Sequence, residues 1–398
     1  MIVKEISSIL RFYSEEILFC RKHTFFGGPA VKGSQRITEL DALRGFAAIG
    51  VVLWHYSGHF DSRPWEAVFG PFYYQGLYLV DFFFVLSGFV LSKAYFRKSR
   101  QYNLAENIIR RAARIYPLHL FTFGLVFIGQ FIMTRVLREP SFVYSFNDLY
   151  HFFLNLTLTQ SLGIQKGLSF NGPSWSISTE FYVSIIFFII LATSKKPVLA
   201  LISLLIVSGG LLTTLIMSGH MRFIEPSIFR TLAGFLAGVV LFKICSPTKI
   251  LKTRWCDLAF LLLLFLLAAG AKYGSMNSYF TEFMLVILGF PLIIFTVLNG
   301  RDIPGFLRLK FFSFLGDISF SIYLIHFPIQ LFFHIAKSAG LISPDFNQPV
   351  TLLVYFAVTI VLSGICYYYF EHPVQNLINT WWTKKYVVID KKRAGICR

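Results

Sequence analysis

The chain alternates between long apolar runs and shorter polar connections. Many runs approach the ~20 residues that an α-helix needs to cross the ~30 Å hydrocarbon core of a bilayer. The runs do not alternate apolar and polar residues with a period of two, so an outer-membrane β-barrel is not indicated. The pattern predicts an all-α polytopic membrane protein with about ten transmembrane helices. The predicted spans lie at approximately 41–58, 73–93, 116–134, 174–193, 198–216, 227–242, 257–271, 278–298, 312–335 and 350–370.

The distribution of charge sets the expected orientation of these spans. Hydrophobic residues make up 55% of the chain and charged residues 14%, and the formal net charge is +17. With the N-terminus inside, 28 of the 37 Lys and Arg residues fall in inner segments. This bias follows the positive-inside rule, so we expect both termini to be cytoplasmic and expect no nucleic-acid partner. The expected organisation is a basic tail (1–36) retained without cleavage, a membrane domain (37–376) and a basic C-terminal tail (377–398).

The first predicted span contains two ionisable residues, Arg44 and His55, within "LDALRGFAAIGVVLWHYSG" (40–58). Eleven residues correspond to about three helical turns, so both side chains lie on one face, roughly 16 Å apart along the axis. Ionisable side chains are costly inside a membrane and mark functional positions. The first span therefore predicts a functional helix face that contains Arg44 and His55.

Two other spans carry polar residues on one face. Ser319, Tyr323 and His326 recur at i, i+4 and i+7 in the ninth span, and Ser176 and Glu180 stand at i, i+4 in the fourth. A single such histidine or glutamate is often only a helix–helix hydrogen-bonding residue. Together with the first span, they predict a central polar cavity shared by several helices.

The inner connection before the third span contains Arg111 and Arg114, three residues apart. Guanidinium groups bind phosphate oxygens in a bidentate manner, so this pair is a candidate phosphate site. The alternative is anchoring to anionic lipid headgroups. His55 and His59 have a metal-ligand spacing, but the sequence around them contains no second carboxylate–histidine pair, so we expect no metal. No Gly-rich phosphate loop, GxSxG or HExxH motif is present.

Six segments in order resemble the motifs of acyltransferase family 3, over residues 37–376. The resemblance is carried by Arg44 with His55 eleven residues on, "DFFFVLSGF" (81–89), "RRAARIYP" (110–117), "WSISTE" (175–180), "GDISFSIYLIH" (316–326) and "EHP" (371–373). Members are membrane O-acyltransferases that modify surface polysaccharides, lipopolysaccharide, peptidoglycan, lipo-oligosaccharides and some antibiotics. Some members also carry a soluble hydrolase-like domain, which we do not expect here.

The resemblance implies a set of partners and of residue roles. The donor co-substrate would be cytoplasmic acyl-CoA, usually acetyl-CoA, with no tightly bound cofactor, and the acceptor a glycan or glycolipid. Arg44 and His55 would serve catalysis, and Arg111 and Arg114 would lie near the CoA phosphates.

Chemistry gives the remaining candidates their roles. His55 is the candidate general base or acyl acceptor. Glu180, Ser319, Tyr323 and His326 are candidate orienting groups or oxyanion donors. The expected location is a bacterial inner membrane, and no soluble protein partner is predicted.

A transporter is the main alternative. Intramembrane His, Glu and Arg also suit the proton relay of a proton-coupled transporter or flippase of a glycan or lipid. Against this alternative, the sequence shows no repeated pair of Gly- or Pro-broken helices of the kind that many transporters carry.

Overall fold

The computed structural model of the protein describes residues 36–96, 103–217, 227–245, 252–272 and 279–393. These residues form helices and connections without a β-strand, apart from one isolated bridge between Thr253 and Gly300. The predicted all-α class is therefore confirmed for the described part of the chain. Residues 1–35 of the predicted N-terminal tail and 394–398 of the C-terminal tail lie outside it.

Sixteen α-helices are present in the described residues. In chain order they are α1 Thr38–Phe60, α2 Glu66–Gln75, α3 Tyr78–Tyr95, α4 Leu104–Phe131, α5 Leu149–Leu156, α6 Trp175–Thr193, α7 Pro197–Met217, α8 Ser227–Ile244, α9 Arg254–Lys272, α10 Tyr279–Met284, α11 Phe290–Asn299, α12 Ile303–Leu307, α13 Lys310–Asp317, α14 Ser319–Ser338, α15 Pro349–Cys366 and α16 His372–Arg393. π-helical turns extend α4, join α10 to α11 and join α15 to α16.

Each predicted span overlaps helical residues, and seven helical segments of the described residues are long and apolar enough to cross a membrane. They are Tyr78–Tyr95, Leu104–Val136, Gly172–Thr193, Arg254–Ala271, Thr281–Asn299, Ser319–Ser338 and Pro349–Lys384. The set excludes α1, in which Arg44, His55 and His59 lower the mean hydropathy. It also excludes α7 and α8. Seven candidates support a multi-pass membrane protein, and the count of ten stays a prediction.

Three details differ from the sequence-based spans. The second span begins only at Tyr78, because Gly76 separates α2 from α3. A Cβ there would lie 2.7 Å from the Gly50 carbonyl oxygen, so the close approach to α1 requires glycine. The ninth span is interrupted at Ile318, between α13 and α14. Within the long 135–173 connection, α5 has eight residues, about 12 Å, which is too short to cross a bilayer.

The core of the bundle is built around α1. Val51, Val52 and Tyr56 of α1 are fully buried and pack with residues of α4, α6, α14 and α15. By contrast, α9 exposes a row of large apolar side chains, including Leu262 and Phe265. An exposed apolar face of this kind suits contact with lipid, whereas the centre of the bundle is where polar groups must find protein partners.

One ionic network fastens α3, α8 and α10 together. Asp81 is fully buried and accepts two hydrogen bonds from Arg230, at 2.6 and 2.5 Å. Arg230 also lies 2.8 Å from a carboxylate oxygen of Glu282. Paired in this way, the buried charges are compensated, and removing one partner would leave the others unpaired.

Candidate functional site

Two buried histidines face each other at the centre of the bundle. His55 of α1 is 5% exposed and His326 of α14 is 0% exposed. Their ring centroids lie 4.8 Å apart. The structure therefore brings together two of the predicted site residues, which are 271 positions apart in the sequence.

Backbone carbonyls fix the tautomer of both rings. Nδ1 of His55 lies 3.0 Å from the carbonyl oxygen of Val51, and Nδ1 of His326 lies 3.2 Å from that of Ile322. Because a carbonyl oxygen can only accept, each Nδ1 carries a proton, and each neutral ring keeps its lone pair on Nε2. Nε2 of His326 has no hydrogen-bond partner among the described residues. Both rings are thus prepared to accept a proton at Nε2.

Tyr323 and Ser176 form a polar contact one turn from His326. The Tyr323 hydroxyl donates to the Pro173 carbonyl at 2.9 Å, and Ser176 Oγ lies 2.7 Å from the Tyr323 oxygen. Tyr323 thereby fastens α14 to the beginning of α6. Its single proton is committed to a carbonyl, so in this arrangement Tyr323 orients the helix that carries His326 instead of offering a free donor.

His59 continues the row of imidazoles toward the end of α1. Its ring centroid lies 5.2 Å from that of His55, and its Nδ1 lies 2.8 Å from Oε1 of the fully buried Gln330. Phe142 and Tyr144 contact His59 edge to face at 5.8 and 6.3 Å. The connection after α4 therefore covers this end of the row.

Hydrogen bonds to the bundle hold this covering segment (137–174) in place. The side-chain amide of Gln130 bonds both the N–H and the C=O of Phe142, each at 2.9 Å. Asn171 donates to the Leu324 carbonyl at 3.1 Å. At the start of α5, the carboxylate of Asp148 accepts one hydrogen bond from the backbone N–H of His151 and a second from its side chain. These two bonds, the backbone bond more than the side-chain bond, lower the pKa of the Asp148 carboxyl.

Arginines gather near the opposite end of α1. Arg44 interacts electrostatically with Arg114 and Arg111, and also with Glu180 and Asp41. Arg111 forms an ion pair with Glu180, which also accepts a hydrogen bond from Ser87. The structure thus brings Arg44 together with the predicted phosphate pair and shows that Glu180 belongs to this group.

A second carboxylate completes the arginine group. Glu371 is 5% exposed and accepts a 2.5 Å hydrogen bond from Ser321. Arg114 and Arg44 are its electrostatic neighbours. Nε of Arg111 is buried without a hydrogen-bond partner, and no ion pair of Arg114 with a described residue is present. Three guanidinium groups therefore keep donor capacity for an anionic ligand.

Ser319 is the predicted site residue that lies apart from the histidines. Its hydroxyl donates to the Gly316 carbonyl at 2.8 Å, where α14 begins after the break at Ile318. This is a local helix-end bond to a carbonyl that also accepts from the backbone N–H of Ile318.

Four residues join the site that the sequence alone did not indicate: His59, Gln330, Glu371 and Ser87. The spacing of His59 from His55 indicates only a metal-ligand pattern. Glu371 lies in the "EHP" motif and Ser87 in "DFFFVLSGF", but neither motif alone shows a contact with the arginines. Nothing in the sequence marks Gln330, because its role depends on which helices pack together. No cluster of three His, Cys, Asp or Glu within the described ranges is arranged to hold a metal ion.

Comparison with known proteins gives this arrangement a family. A family model described as an acyltransferase domain, that of acyltransferase family 3, matches residues 37–368. The chain belongs to acyltransferase family 3. The match covers the histidine pair, the three arginines and Glu180, whereas Glu371 lies three residues beyond its end. The family match confirms the resemblance seen in the motifs.

Curated relatives of low sequence identity also carry names of acyltransferases. O-acetyltransferase OatA of Staphylococcus aureus (strain MRSA252) is 23% identical over 395 residues, covering 90% of this chain and 60% of the relative. Acyltransferase MdmB of Streptomyces mycarofaciens is 26% identical over 371 residues, covering 86% of this chain and 92% of the relative. The chain thus spans about 60% of the length of the staphylococcal relatives. No solved structure matches significantly.

Proposed function

We propose that the protein is a membrane O-acyltransferase that transfers an acyl group, in the simplest case acetyl, from acyl-CoA to a hydroxyl of a glycan or glycolipid. The observation that carries the proposal is the pairing of His55 with His326, both with a lone pair on Nε2. Arg44, with Arg111 and Arg114 as electrostatic neighbours, lies roughly 16 Å from His55 along α1. The printed names of the relatives, an O-acetyltransferase and an acyltransferase, support the same reaction class.

The arginine group suits the phosphates of CoA. Nε of Arg111 is buried without a hydrogen-bond partner, and Arg114 forms no ion pair with a described residue, so these guanidinium groups keep donors for an anionic ligand. In this proposal, Glu180 holds Arg111 in place for the phosphates. In the proposal, the extended pantetheine arm bridges the roughly 16 Å from Arg44 to His55 and brings the thioester to the histidines.

The transfer step uses His55 as the general base. Nε2 of His55 takes the proton of the acceptor hydroxyl while the hydroxyl oxygen attacks the thioester carbonyl carbon. The C–O bond forms, the C–S bond breaks, and the His55 imidazolium returns the proton to the departing sulfur, so that CoA leaves as a thiol and His55 is regenerated. The unprotonated Nε2 of His326, on a ring whose centroid lies 4.8 Å from that of His55, stabilises the imidazolium electrostatically. Attack by His55 Nε2 itself, giving an acyl-histidine, is the alternative order of the same bond changes.

The proposed membrane arrangement follows from the charges. We propose ten spans with both termini in the cytoplasm, in a bacterial inner membrane, which places the arginine group at the cytoplasmic side. CoA is a cytosolic polyanion, so its proposed site and the positive-inside orientation agree. The His59 end of the histidine row, which the segment 137–174 covers, then lies at the outer side of the membrane, where surface glycans are exposed.

The test is acetyl transfer by the purified protein. The chain, reconstituted in liposomes, is incubated with [14C]acetyl-CoA and with solubilised envelope glycans from a strain that lacks the gene. Release of free CoA and label in the glycan fraction are expected to rise together, and both are expected to vanish in His55→Ala. Glycan transport into the liposomes without any acetyl-CoA consumption would replace the enzyme with the transporter alternative.

A further inference from the structure

We propose that residues 6–20 of the N-terminal tail dock, as an amphipathic helix, into an apolar groove between α4 and α16 of the same chain. The contact would brace the inner end of α4, the helix that carries Arg111 and Arg114. It is independent of the reaction that the protein catalyses. Both the tail and α16 lie outside the family domain at 37–368, so the contact would be an addition of this chain to that domain.

A groove of about 610 Å³ runs between α4 and α16. Ile109 and Phe121 mark the two ends of its α4 wall, and Val374 and Ile378 lie on its α16 wall. The lining is apolar except for the hydroxyl of Tyr116, which donates to a backbone carbonyl at 3.0 Å. An open apolar groove of this size is typical of a surface that binds a partner.

The α16 wall argues against lipid as the occupant of the groove. On the faces of α16 beside Val374 and Ile378, the helix carries polar residues such as Gln375 and Asn379, which do not suit contact with hydrocarbon. α16 follows the last predicted span (350–370), on the side that the positive-inside rule assigns to the cytoplasm. A polar helix with one apolar strip is typical of a helix that packs against protein.

The tail, which precedes the described residues, contains a matching apolar face. Arg11 and Glu15 lie on the opposite face of the same helical pattern, and the apolar face extends over about 21 Å, close to the roughly 18 Å from Ile109 to Phe121 along α4. At 100° per residue the members of the apolar face fall within an arc of about 100°. They are Ile6, Ile9, Leu10, Tyr13, Ile17 and Cys20.

The tail joins the described part of the chain close to the groove. Arg36 is held there by Asp41, whose Oδ2 lies 2.6 Å from the guanidinium Nε. Arg36 also interacts electrostatically with Tyr367, which lies in the π-helical turn that joins α15 to α16 and that contributes Phe370 to the groove. The residues between Cys20 and Arg36 can extend up to roughly 55 Å, so the apolar face can reach the groove from the same side of the membrane.

Photo-crosslinking in the full-length protein tests the docking. Benzoylphenylalanine replaces either Tyr13, on the apolar face, or Leu18, on the opposite face, and membranes that contain the protein are irradiated before purification. Crosslinked peptides are identified by mass spectrometry. From position 13 the crosslinks are expected to map to 109–121 and 370–378, with a yield roughly tenfold that from position 18, because only one face of the helix would meet the groove.

Matched variants of the tail provide the control. Ile9→Glu/Ile17→Glu places two carboxylates on the apolar face and is expected to lower the groove crosslinks from position 13 about tenfold, because an unpaired charge is unfavourable in an apolar groove. Ser7→Glu/Ser8→Glu adds the same charge on the polar face and is expected to stay within about twofold of the unsubstituted tail. Val374→Glu should reproduce the loss from the groove side. Each variant must elute as a single species in size-exclusion chromatography.

The alternatives give different crosslinked products. Crosslinks from position 13 to lipid alone would overturn the docking and place the tail on the bilayer surface, where isolated amphipathic helices bind. Crosslinks between two full-length chains would overturn it in favour of a second copy. Equal yields from positions 13 and 18, or no crosslink to the groove, would also overturn it. Acetyl transfer is not measured, so none of these results bears on the proposed function.

Discussion

The histidine row (His55, His59 and His326) and the arginine group both include residues of α1, but different interactions hold their side chains in place. At the histidine pair, neutral rings are held by backbone carbonyls and lie near one another without a carboxylate hydrogen-bonded to either ring. At the arginine group, charged side chains from several helices are held by carboxylates, as in the pairing of Arg111 with Glu180. The first arrangement keeps lone pairs ready for a proton, and the second keeps positive charge ready for an anion.

We therefore expect the histidine row to control the rate of transfer and the arginine group to control the affinity for the acyl donor. A base acts on the transition state, so its loss lowers turnover at any substrate concentration. Phosphate contacts act on donor binding, so their loss can be compensated by more acyl-CoA.

The largest effect is expected from His55→Ala. Loss of a general base costs about 10²- to 10⁴-fold in rate. Measured with saturating acetyl-CoA and glycan, turnover should fall by this factor, while the amount of inserted protein and its elution profile stay those of the wild type. Near-normal turnover would move the assignment of the base to His326.

A smaller loss of turnover is expected from His326→Ala. We expect the lone pair of His326 beside the His55 imidazolium to contribute as much as a charge-assisted contact, about 1.5–3 kcal/mol, which corresponds to roughly 10- to 150-fold. If His326 acts only by stabilising the imidazolium of His55, the double variant His55→Ala/His326→Ala should be no more than about threefold slower than His55→Ala alone. Full additivity of the two losses would instead assign His326 an independent role.

A loss of donor affinity is expected from Arg114→Ala. Removing one charge-assisted phosphate contact should weaken acetyl-CoA binding about 10- to 150-fold with little change in the affinity for glycan. Arg114→Lys should recover only part, because an ammonium lacks the guanidinium fork. Calorimetry on monodisperse protein measures both constants.

Arg110→Ala provides the matched control for this prediction. Arg110 lies on the same helix, is 41% exposed and pairs with Glu106, so its removal should leave acetyl-CoA affinity unchanged. The alternative role of these arginines, as lipid anchors, predicts altered protein levels or orientation with constant affinity. Dephospho-CoA thioesters should show a reduced penalty in Arg114→Ala if the 3′-phosphate is the partner.

In each pair of site residues that the sequence predicted, both members lie on the same helix. Arg44 and His55 are on α1, and Tyr323 and His326 are on α14, so helical spacing alone placed each pair on one face. The positions of the predicted helices follow from their apolar runs in the same way. What periodicity could not give is which helix faces which.

The contacts that the sequence missed are those between helices. The 2.8 Å bond of His59 to Gln330 joins residues 271 positions apart, and the ion pair of Arg111 with Glu180 joins residues 69 apart. The breaks at Gly76 and Ile318 were also missed, because the short polar steps that mark them, Gln75 before Gly76 and Asp317 before Ile318, are averaged out over the apolar length of a whole span. A pattern along one chain contains no information on such pairings unless both partners carry an unusual residue type.

Ser319 is where pattern and structure disagree most usefully, and it provides the smallest expected effect. The i, i+4, i+7 stripe groups Ser319 with Tyr323 and His326, yet its hydroxyl donates to the Gly316 carbonyl at the start of α14. Ser319→Ala should therefore change turnover and both substrate affinities by less than about threefold, while lowering stability by about 1 kcal/mol through the lost hydrogen bond. Thermal unfolding in detergent and the acetyl-transfer assay measure the two consequences. Ser176→Ala is the informative comparison, because Ser176 bonds Tyr323 and should lower turnover further. A loss in Ser319→Ala as large as that of His326→Ala would return Ser319 to the reacting groups and would extend the histidine row by two turns toward the arginines.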